Sequence, residues 1–146
     1  RLTGRGAVTQ LLAADQALIK LSFSHTGKPV SDCRAQTPDE LARLPPNMRA
    51  PVRCPRERSP VVVELDVDGA PALRRVAAPS GLSRDGASSV YHRLQVSAGT
   101  HRVAVRLSDD VRSAGFAYVR EASVVLKPAQ ILVIDFDTAT RTITLR

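Results

Sequence analysis

Cys33 and Cys54 are the residues whose type and spacing point most directly to chemistry. The segment between them is rich in proline and shows no obvious strand, so a disulfide would close a connection that a hydrophobic core cannot hold. On the loop-entropy argument, such a bond contributes about 3 kcal/mol. Two free thiols in a cytosolic protein are the alternative, but the flanking Arg34, Arg53 and Pro55 disfavour deep apolar burial. Since disulfides persist in oxidising compartments, the pair predicts a periplasmic or extracellular location.

The chain has three histidines, His25, His92 and His101. His92 and His101 share the parity of the apolar residues in two predicted strands. If Ala98–Gly99 is a hairpin turn, Val96 pairs with His101 and the two imidazoles are offset by roughly 13 Å along the sheet. That separation is too large for one ion, which binds nitrogen at about 2.1 Å. We therefore predict strand-end histidines that are satisfied by hydrogen bonds.

Metal and catalytic sites have only weak support. Three acid pairs could bind calcium or act in acid–base catalysis, but each lies at a strand end or turn, where Asp bonds the local backbone: Asp66/Asp68, Asp109/Asp110 and Asp135/Asp137. A copper site formed by Met48, His25 and the cysteines would compete with the disulfide. No G-x-S-x-G elbow, Ser-x-x-Lys motif or glycine-rich phosphate loop is present. The sequence therefore predicts no metal, no cofactor and no enzymatic activity.

Alternation of apolar and polar residues predicts seven or eight strands. They cover 17–25, 61–68, 72–78, 90–96, 101–107, 116–126, 131–136 and 140–145. One short helix is predicted over 37–44, because Thr37 can cap it, Pro38 suits its first turn and Glu40 completes a capping box. This pattern is typical of an antiparallel, immunoglobulin-like β-sandwich. We predict a flexible arm or linker over 1–16 and a single domain over 17–146.

Two strands carry a finer prediction. The run 131–136 is apolar on both faces and is expected to be a central strand. Residues 140–145 are expected to form an edge strand. No alternation of strands and helices appears, which disfavours a parallel sheet.

The charge of the chain is +7, with 21 basic and 14 acidic residues. The arginines are scattered beside acids, without a compact basic run or aromatic residues for base stacking, so we predict a solvated basic surface and no nucleic-acid partner. No apolar run is long enough to span a bilayer. The chain begins at Arg1, and we expect a secretory signal or membrane anchor upstream of it.

Two passages resemble PEGA-type domains, which are small β-sandwich modules of bacterial surface proteins. Residues 63–71, Val-Glu-Leu-Asp-Val-Asp-Gly-Ala-Pro, are similar to the opening strand and V-D-G-x-P turn of that family. Residues 94–105, Leu-Gln-Val-Ser-Ala-Gly-Thr-His-Arg-Val-Ala-Val, are similar to its L-x-V-x-x-G-x-H-x-V-x-V hairpin, with Ala98 where the family has proline. The chain is also twice as long as one such module. The resemblance implies a non-enzymatic, membrane-anchored or surface interaction domain without catalytic residues.

The sequence thus predicts a binding or structural module of an envelope protein, acting on a protein partner through a sheet face or the 79–89 loop. The candidate contact residues are Ser80, Gly81, Leu82, Arg84, Asp85 and Tyr91. A periplasmic copper carrier is one alternative. A carbohydrate-binding sandwich is another, in which Tyr91, Tyr118 or one of the three phenylalanines would stack on a sugar.

Overall fold

A computed structural model describes residues 14–146, and in this range the chain is mostly β, as predicted. The predicted arm over 1–16 lies outside the described residues as far as residue 13, and Gln16 already begins the first strand. The elements, in chain order, are β1 (Gln16–His25), β2 (Arg34–Ala35), helix α1 (Pro38–Ala42), a 3₁₀ turn (Pro46–Met48), β3 (Val52–Arg53), β4 (Val61–Val67), β5 (Ala70–Ala77), β6 (Ser88–Ser97), β7 (Gly99–Ser108), β8 (Tyr118–Leu126), β9 (Ile131–Asp137) and β10 (Thr142–Leu145).

The long strands form two four-stranded sheets that share one hydrophobic core. The first sheet has the order β10-β9-β1-β6 and the second has the order β5-β4-β7-β8. Alternate residues along each strand point to one face, so the apolar positions of both sheets become buried together. Ile19 and Ile134 of the first sheet and Val63, Leu65 and Val103 of the second belong to the same core cluster.

The first sheet is mixed, which corrects the prediction of a wholly antiparallel arrangement. β1 and β9 run parallel, with Leu18 opposite Ile131 and Leu21 opposite Ile134. The prediction was wrong because the alternation of apolar and polar residues indicates which side chains face the core but not in which direction a strand runs. The predicted positions of the last two strands are confirmed, since β9 lies between β10 and β1 and β10 is an edge strand.

The predicted hairpin at Ala98–Gly99 is also wrong. β6 pairs with β1 along its whole length, whereas β7 pairs with β4 and β8. The single residue Ala98 therefore carries the chain from one sheet to the other, and Gly99 accommodates the change of direction with φ +124°. Val96 and His101 are consequently not a cross-strand pair. Two consecutive alternating segments look the same in a sequence whether they pair with each other or with other strands.

The hairpin predicted at Asp68–Gly69 is confirmed, because β4 and β5 pair in antiparallel register on either side of it. Asp68 and Gly69 have φ values of +54° and +82°. Positive φ at both central residues is what the two-residue turn of a twisted hairpin requires.

Cys33 and Cys54 form the predicted disulfide. We call residues 33–54 the disulfide arm. Beside the bond, β2 pairs with β3, which the sequence analysis missed because strands of two residues have no alternation to detect. The predicted capping box is present, and α1 begins at Pro38. Within residues 14–146, no helix has both the length and the apolar character needed to cross a lipid bilayer.

Connection lengths distinguish the two ends of the molecule. At the tight-turn end the connections between consecutive strands are 68–69, Ala98 and 127–130, of which the last two cross from one sheet to the other. At the opposite end, which we call the cleft end, the connections are 26–60, with the disulfide arm, 78–87, 109–117 and 138–141. Long connections leave room between them for a recess.

Candidate functional site

A cleft of about 610 Å³ opens at the cleft end. Its walls are formed by the residues that follow β1, by the segment 55–60 that follows the disulfide arm, by the β7–β8 connection and by the β9–β10 turn. The lining residues are His25, Thr26, Gly27, Lys28, Pro29, Arg58, Asp109, Tyr118, Thr138 and Arg141.

A hydrogen-bonded group of His25, Asp109 and Tyr118 lies in this cleft and joins the two sheets. His25 Nε2 is 2.8 Å from Asp109 Oδ2, and the Tyr118 hydroxyl donates to the same oxygen at 3.3 Å. The His25 ring packs edge-on against Phe136, with 4.6 Å between ring centroids. Burial, followed by the nearby Asp109 carboxylate, raises the pKa of Tyr118, while Arg141 acts in the opposite sense. The phenol therefore stays protonated and serves as a donor at neutral pH.

Two atoms of this group are buried without a hydrogen-bond partner in the described part of the chain, His25 Nδ1 and Asp109 Oδ1. Leaving such an atom unpaired costs about 2 kcal/mol, and unpaired buried groups often occur at functional positions. An imidazole held by a carboxylate can act as a general base. However, no hydroxyl or thiol of residues 14–146 is hydrogen-bonded to His25 Nδ1, so the geometry presents no activated nucleophile.

Three cationic side chains line the same cleft, those of Lys28, Arg58 and Arg141. None of them forms an ion pair with a described residue. The one acidic lining residue is Asp109, whose side chain is only 3% exposed and is held by His25. The lining thus carries three formal positive charges against one negative charge.

The floor of the cleft depends on close backbone packing at Gly27. A Cβ atom at this position would collide with the carbonyl oxygen of Ser59. The absence of a side chain lets two hydrogen bonds form, from Lys28 N to Asp109 O at 2.8 Å and from Ser59 N to Lys28 O at 2.7 Å. These bonds hold together the segments that carry Lys28, Arg58 and Asp109.

Arg141 reaches the cleft from the β9–β10 turn. Asp137 Oδ1 accepts hydrogen bonds from Ala139 N at 2.9 Å and Thr140 N at 3.4 Å, which folds the turn locally. Arg141 then has φ +56°, a left-handed conformation that favours glycine or asparagine. An arginine at this position accepts backbone strain and adds a guanidinium to the cleft.

The predicted contact loop lies at the same end of the molecule. Of its residues, Ser80, Gly81, Leu82, Arg84 and Asp85 lie in the 78–87 connection. The side chain of Leu82 is fully exposed. The loop is attached to the segment 55–60, which follows the disulfide arm, because Arg56 pairs with Asp85 at 2.9 Å and Arg58 N donates to Arg84 O at 2.8 Å.

Tyr91, the sixth predicted contact residue, lies apart from the loop on β6. Its side chain points away from the core and is 58% exposed. The Lys20 ammonium group lies 5.7 Å from the centre of its ring. Tyr91 thus lies on a strand, whereas the other five predicted contact residues lie in the loop.

His92 and His101 are hydrogen-bonded, as predicted, but only His101 lies near a strand end, since His92 is in the middle of β6. His92 Nδ1 is 3.2 Å from a guanidinium nitrogen of Arg75. His101 is buried at the tight-turn end, with Nδ1 2.6 Å from Asp68 Oδ2 and Nε2 2.6 Å from Ser97 O. The bond to Asp68, followed by that to Ser97, raises the pKa of His101. Because both partners are acceptors, the doubly protonated imidazolium fits this position.

Among residues 14–146, no three histidine, cysteine or acidic side chains come together as a metal site. Both cysteines of the copper alternative are bonded to each other. Met48, which would supply the thioether ligand of the copper site, is 62% exposed on the disulfide arm.

Most of the cleft residues carry no signal in the sequence. Asp109 was predicted to be a turn residue, whereas its buried carboxylate bonds His25 across the sheets. Asp110, in contrast, accepts from Arg112 N at 3.0 Å, as expected of a turn residue. Lys28, Arg58 and Arg141 carry no signal in their spacing, because they lie far apart in the chain.

Comparisons with known proteins add no relative to this description: no protein-family model, curated protein or solved structure matches the chain. The resemblance to PEGA-type domains therefore stays a prediction. The function must be inferred from the geometry of the described residues.

Proposed function

We propose that this chain is a non-enzymatic binding module of an extracytoplasmic compartment, built as an immunoglobulin-like β-sandwich. It contacts a protein partner through the disulfide arm and the neighbouring 78–87 loop. Two four-stranded sheets that share one core support the sandwich. The disulfide supports the oxidising compartment. The likeness of residues 63–71 to PEGA-type domains supports a place in a membrane-anchored envelope protein.

The observation that carries the proposal is that the disulfide arm holds a defined structure without contributing to the core. None of residues 33–54 is buried. A connection of this length without a packing role is typically functional.

Local interactions keep the arm ordered. Glu40 N donates to Thr37 Oγ1 at 3.2 Å, and Thr37 N donates to Glu40 Oε1 at 3.0 Å. Arg34 donates to both carboxylate oxygens of Glu40, at 3.0 and 2.7 Å. The bond to Arg34, followed by that to the Thr37 amide, lowers the pKa of Glu40 to about 2. An arm that is already ordered loses less conformational entropy when a partner binds.

The arm and the loop also expose apolar side chains. Met48 is 62% exposed and Val52 is 46% exposed on the arm, and Leu82 is fully exposed on the loop. Methionine and other apolar side chains presented on a rigid, polar-rimmed surface are common in protein interfaces. These three positions define the surface that we expect the partner to cover.

Photo-crosslinking in the native cell tests this surface. A photoreactive phenylalanine analogue is placed at Met48, at Leu82 or, as a control, at Val125, which is 70% exposed on the second sheet. We expect one discrete adduct from Met48 and Leu82 and none from Val125. The adduct from Met48 should disappear when Cys33 and Cys54 are both replaced by serine.

Equal crosslinking from all three positions, or none from any, would overturn the proposal. Maleimide labelling of the native protein without reductant provides the check on location. Because both thiols are joined, we expect no labelling; complete labelling would remove the argument for an oxidising compartment.

A further inference from the structure

We propose that the cleft binds a small ligand through an oxyanion, a phosphate or carboxylate group, held by Lys28, Arg58 and Arg141. This site is separate from the partner surface proposed above. It uses none of the exposed apolar residues of the arm or the loop.

The charge of the cleft is the first argument. Three cations line one recess, and none has an ion-pair partner among residues 14–146. Some arginines outside the cleft, such as Arg102 and Arg106, instead pair with acids of their own sheet. Like charges in a recess repel one another and concentrate a positive potential, so an anion entering the cleft relieves the repulsion.

The origin of the three cations is the second argument. Lys28 follows β1, Arg58 precedes β4 and Arg141 ends the β9–β10 turn. The fold therefore brings together side chains from three separate parts of the chain. Arg141 does so from a strained left-handed backbone with φ +56°. Guanidinium groups suit oxyanions, because two N–H donors match two oxygens.

Neutral donors complete the recess. Thr26 and Thr138, whose hydroxyls can donate, line it beside the cations, whereas the Tyr118 hydroxyl already donates to Asp109. Asp109 is the one opposing charge, but its side chain is 3% exposed and hydrogen-bonded to His25 and Tyr118. Since Lys28 and Arg141 are exposed, a ligand arriving from solvent meets the cations before the carboxylate.

NMR titration of the full 146-residue chain tests the proposal with three probes. Inorganic phosphate and galacturonate carry the oxyanion, and galactose is the neutral match for galacturonate. We expect saturable binding of phosphate or galacturonate but not of galactose, with shifts centred on 26–28, 58–59 and 138–141. Raising NaCl from about 0.05 to about 0.5 M should weaken binding severalfold, because salt screens the charges.

Variants locate the binding. Arg141→Gln and Lys28→Gln should each weaken binding by about tenfold, because each removes a charge-assisted contact. Arg93→Gln is the control, since Arg93 is exposed on β6 and lies outside the cleft. Unchanged thermal midpoints show that the variants remain folded. If Arg141→Gln disrupts the β9–β10 turn, Lys28→Gln still tests the site, because Lys28 lies in a different segment.

A lack of saturation by phosphate and galacturonate would overturn the proposal. So would equal weakening by Arg93→Gln, which would indicate diffuse surface charge, or equal binding of galactose and galacturonate. Co-flotation with phosphatidylglycerol vesicles distinguishes the sources of phosphate. Flotation that is lost in Arg141→Gln assigns a lipid headgroup, whereas binding of the free ion without flotation assigns a soluble ligand.

Discussion

The two ends of this molecule each carry a histidine–aspartate pair, and the pairs have opposite surroundings. At the tight-turn end, both ring nitrogens of His101 have acceptors, Asp68 and Ser97. At the cleft end, His25 bonds Asp109 through one nitrogen, and a second polar atom of each residue has no partner in the described chain. A histidine–aspartate pair is therefore fully hydrogen-bonded at the tight-turn end, whereas the pair at the other end lines the cleft and keeps polar atoms without partners.

Connection length accounts for the difference. Short links such as Ala98 bring the two sheets together at the tight-turn end, so the polar groups there satisfy one another. The longer connections 26–60 and 109–117 at the opposite end cannot fill the space between the sheets as completely. Polar groups without partners and an uncompensated positive charge remain there, which is the arrangement expected of a binding site.

Replacing one glycine at each end by alanine should give the largest difference in the free energy of unfolding. Gly27→Ala should lower the free energy of unfolding by about 3 kcal/mol, because the new Cβ meets the rigid carbonyl of Ser59. Gly69→Ala should cost about 1 kcal/mol, because that position has open space and only its φ of +82° disfavours alanine. Urea unfolding of both variants measures the two costs. Equal costs would show that the cleft floor yields more easily than its packing indicates.

Replacing each histidine by glutamine should separate stability from binding. His101→Gln should lower the free energy of unfolding by about 2 kcal/mol, because one amide group cannot make both hydrogen bonds of the buried ring, to Asp68 and to Ser97. Phosphate binding should not change. His25→Gln should weaken phosphate binding roughly threefold, because the flexible amide, which can still donate from about the position of Nε2, holds the Asp109 carboxylate less firmly and lets it compete for the cations.

Calorimetry for unfolding and NMR titration for phosphate measure both quantities. Arg102→Gln, on the exposed face of β7, is a control for the loss of a surface polar group. If His101→Gln changed phosphate binding as much as His25→Gln, the two ends would be coupled and the comparison would be wrong.

The pH dependence of stability should give the smallest effect and should arise at the tight-turn end. The pKa of His101 is raised above its ordinary 6.5, so its stabilising effect is complete below that pH and is lost as pH rises through the raised pKa. The pKa of Asp68 is lowered below its ordinary 3.8, mainly by the Arg102 amide and then by His101. Its contribution is present above that value and is lost as pH falls through the lowered pKa.

Unfolding free energies measured between about pH 5 and pH 9 cover the range in which His101 titrates. We expect the wild type to lose stability toward alkaline pH and His101→Gln to lack this component. Identical slopes in the two proteins would assign the pH dependence to other groups.

Local patterns predicted the strands, the capping box and the disulfide. The strands and the capping box depend on residues that are close together in the chain. The disulfide could be predicted because Cys33 and Cys54 are the only two cysteines of the sequence. Val61, Val63 and Leu65 face the core because strand geometry alone places alternate residues on one side. The same reasoning predicted α1 from Thr37, Pro38 and Glu40.

The partnership of strands could not be predicted in this way. The parallel alignment of β1 with β9 and the crossing at Ala98 depend on competition between whole strands for partners. The cleft depends in turn on that arrangement, because Lys28 and Arg141 approach each other only after β1 and β10 have joined the same sheet. The strands that border the cleft could therefore be predicted from the sequence, but the grouping of Lys28, Arg58 and Arg141 in one cleft could not.

The position of β1 sets an order of assembly. Among residues 14–146, β1 is the first strand in chain order, yet it pairs with β9, which follows it only after seven intervening strands. Until β9 arrives, one edge of β1 has open backbone donors and acceptors, and closing so long a loop is slow. The disulfide arm needs no such wait, since its bond, helix and two-residue ladder lie within residues 33–54. The arm can therefore form and oxidise before β9 is in place, while the first sheet is completed only when β9 and β10 have joined it.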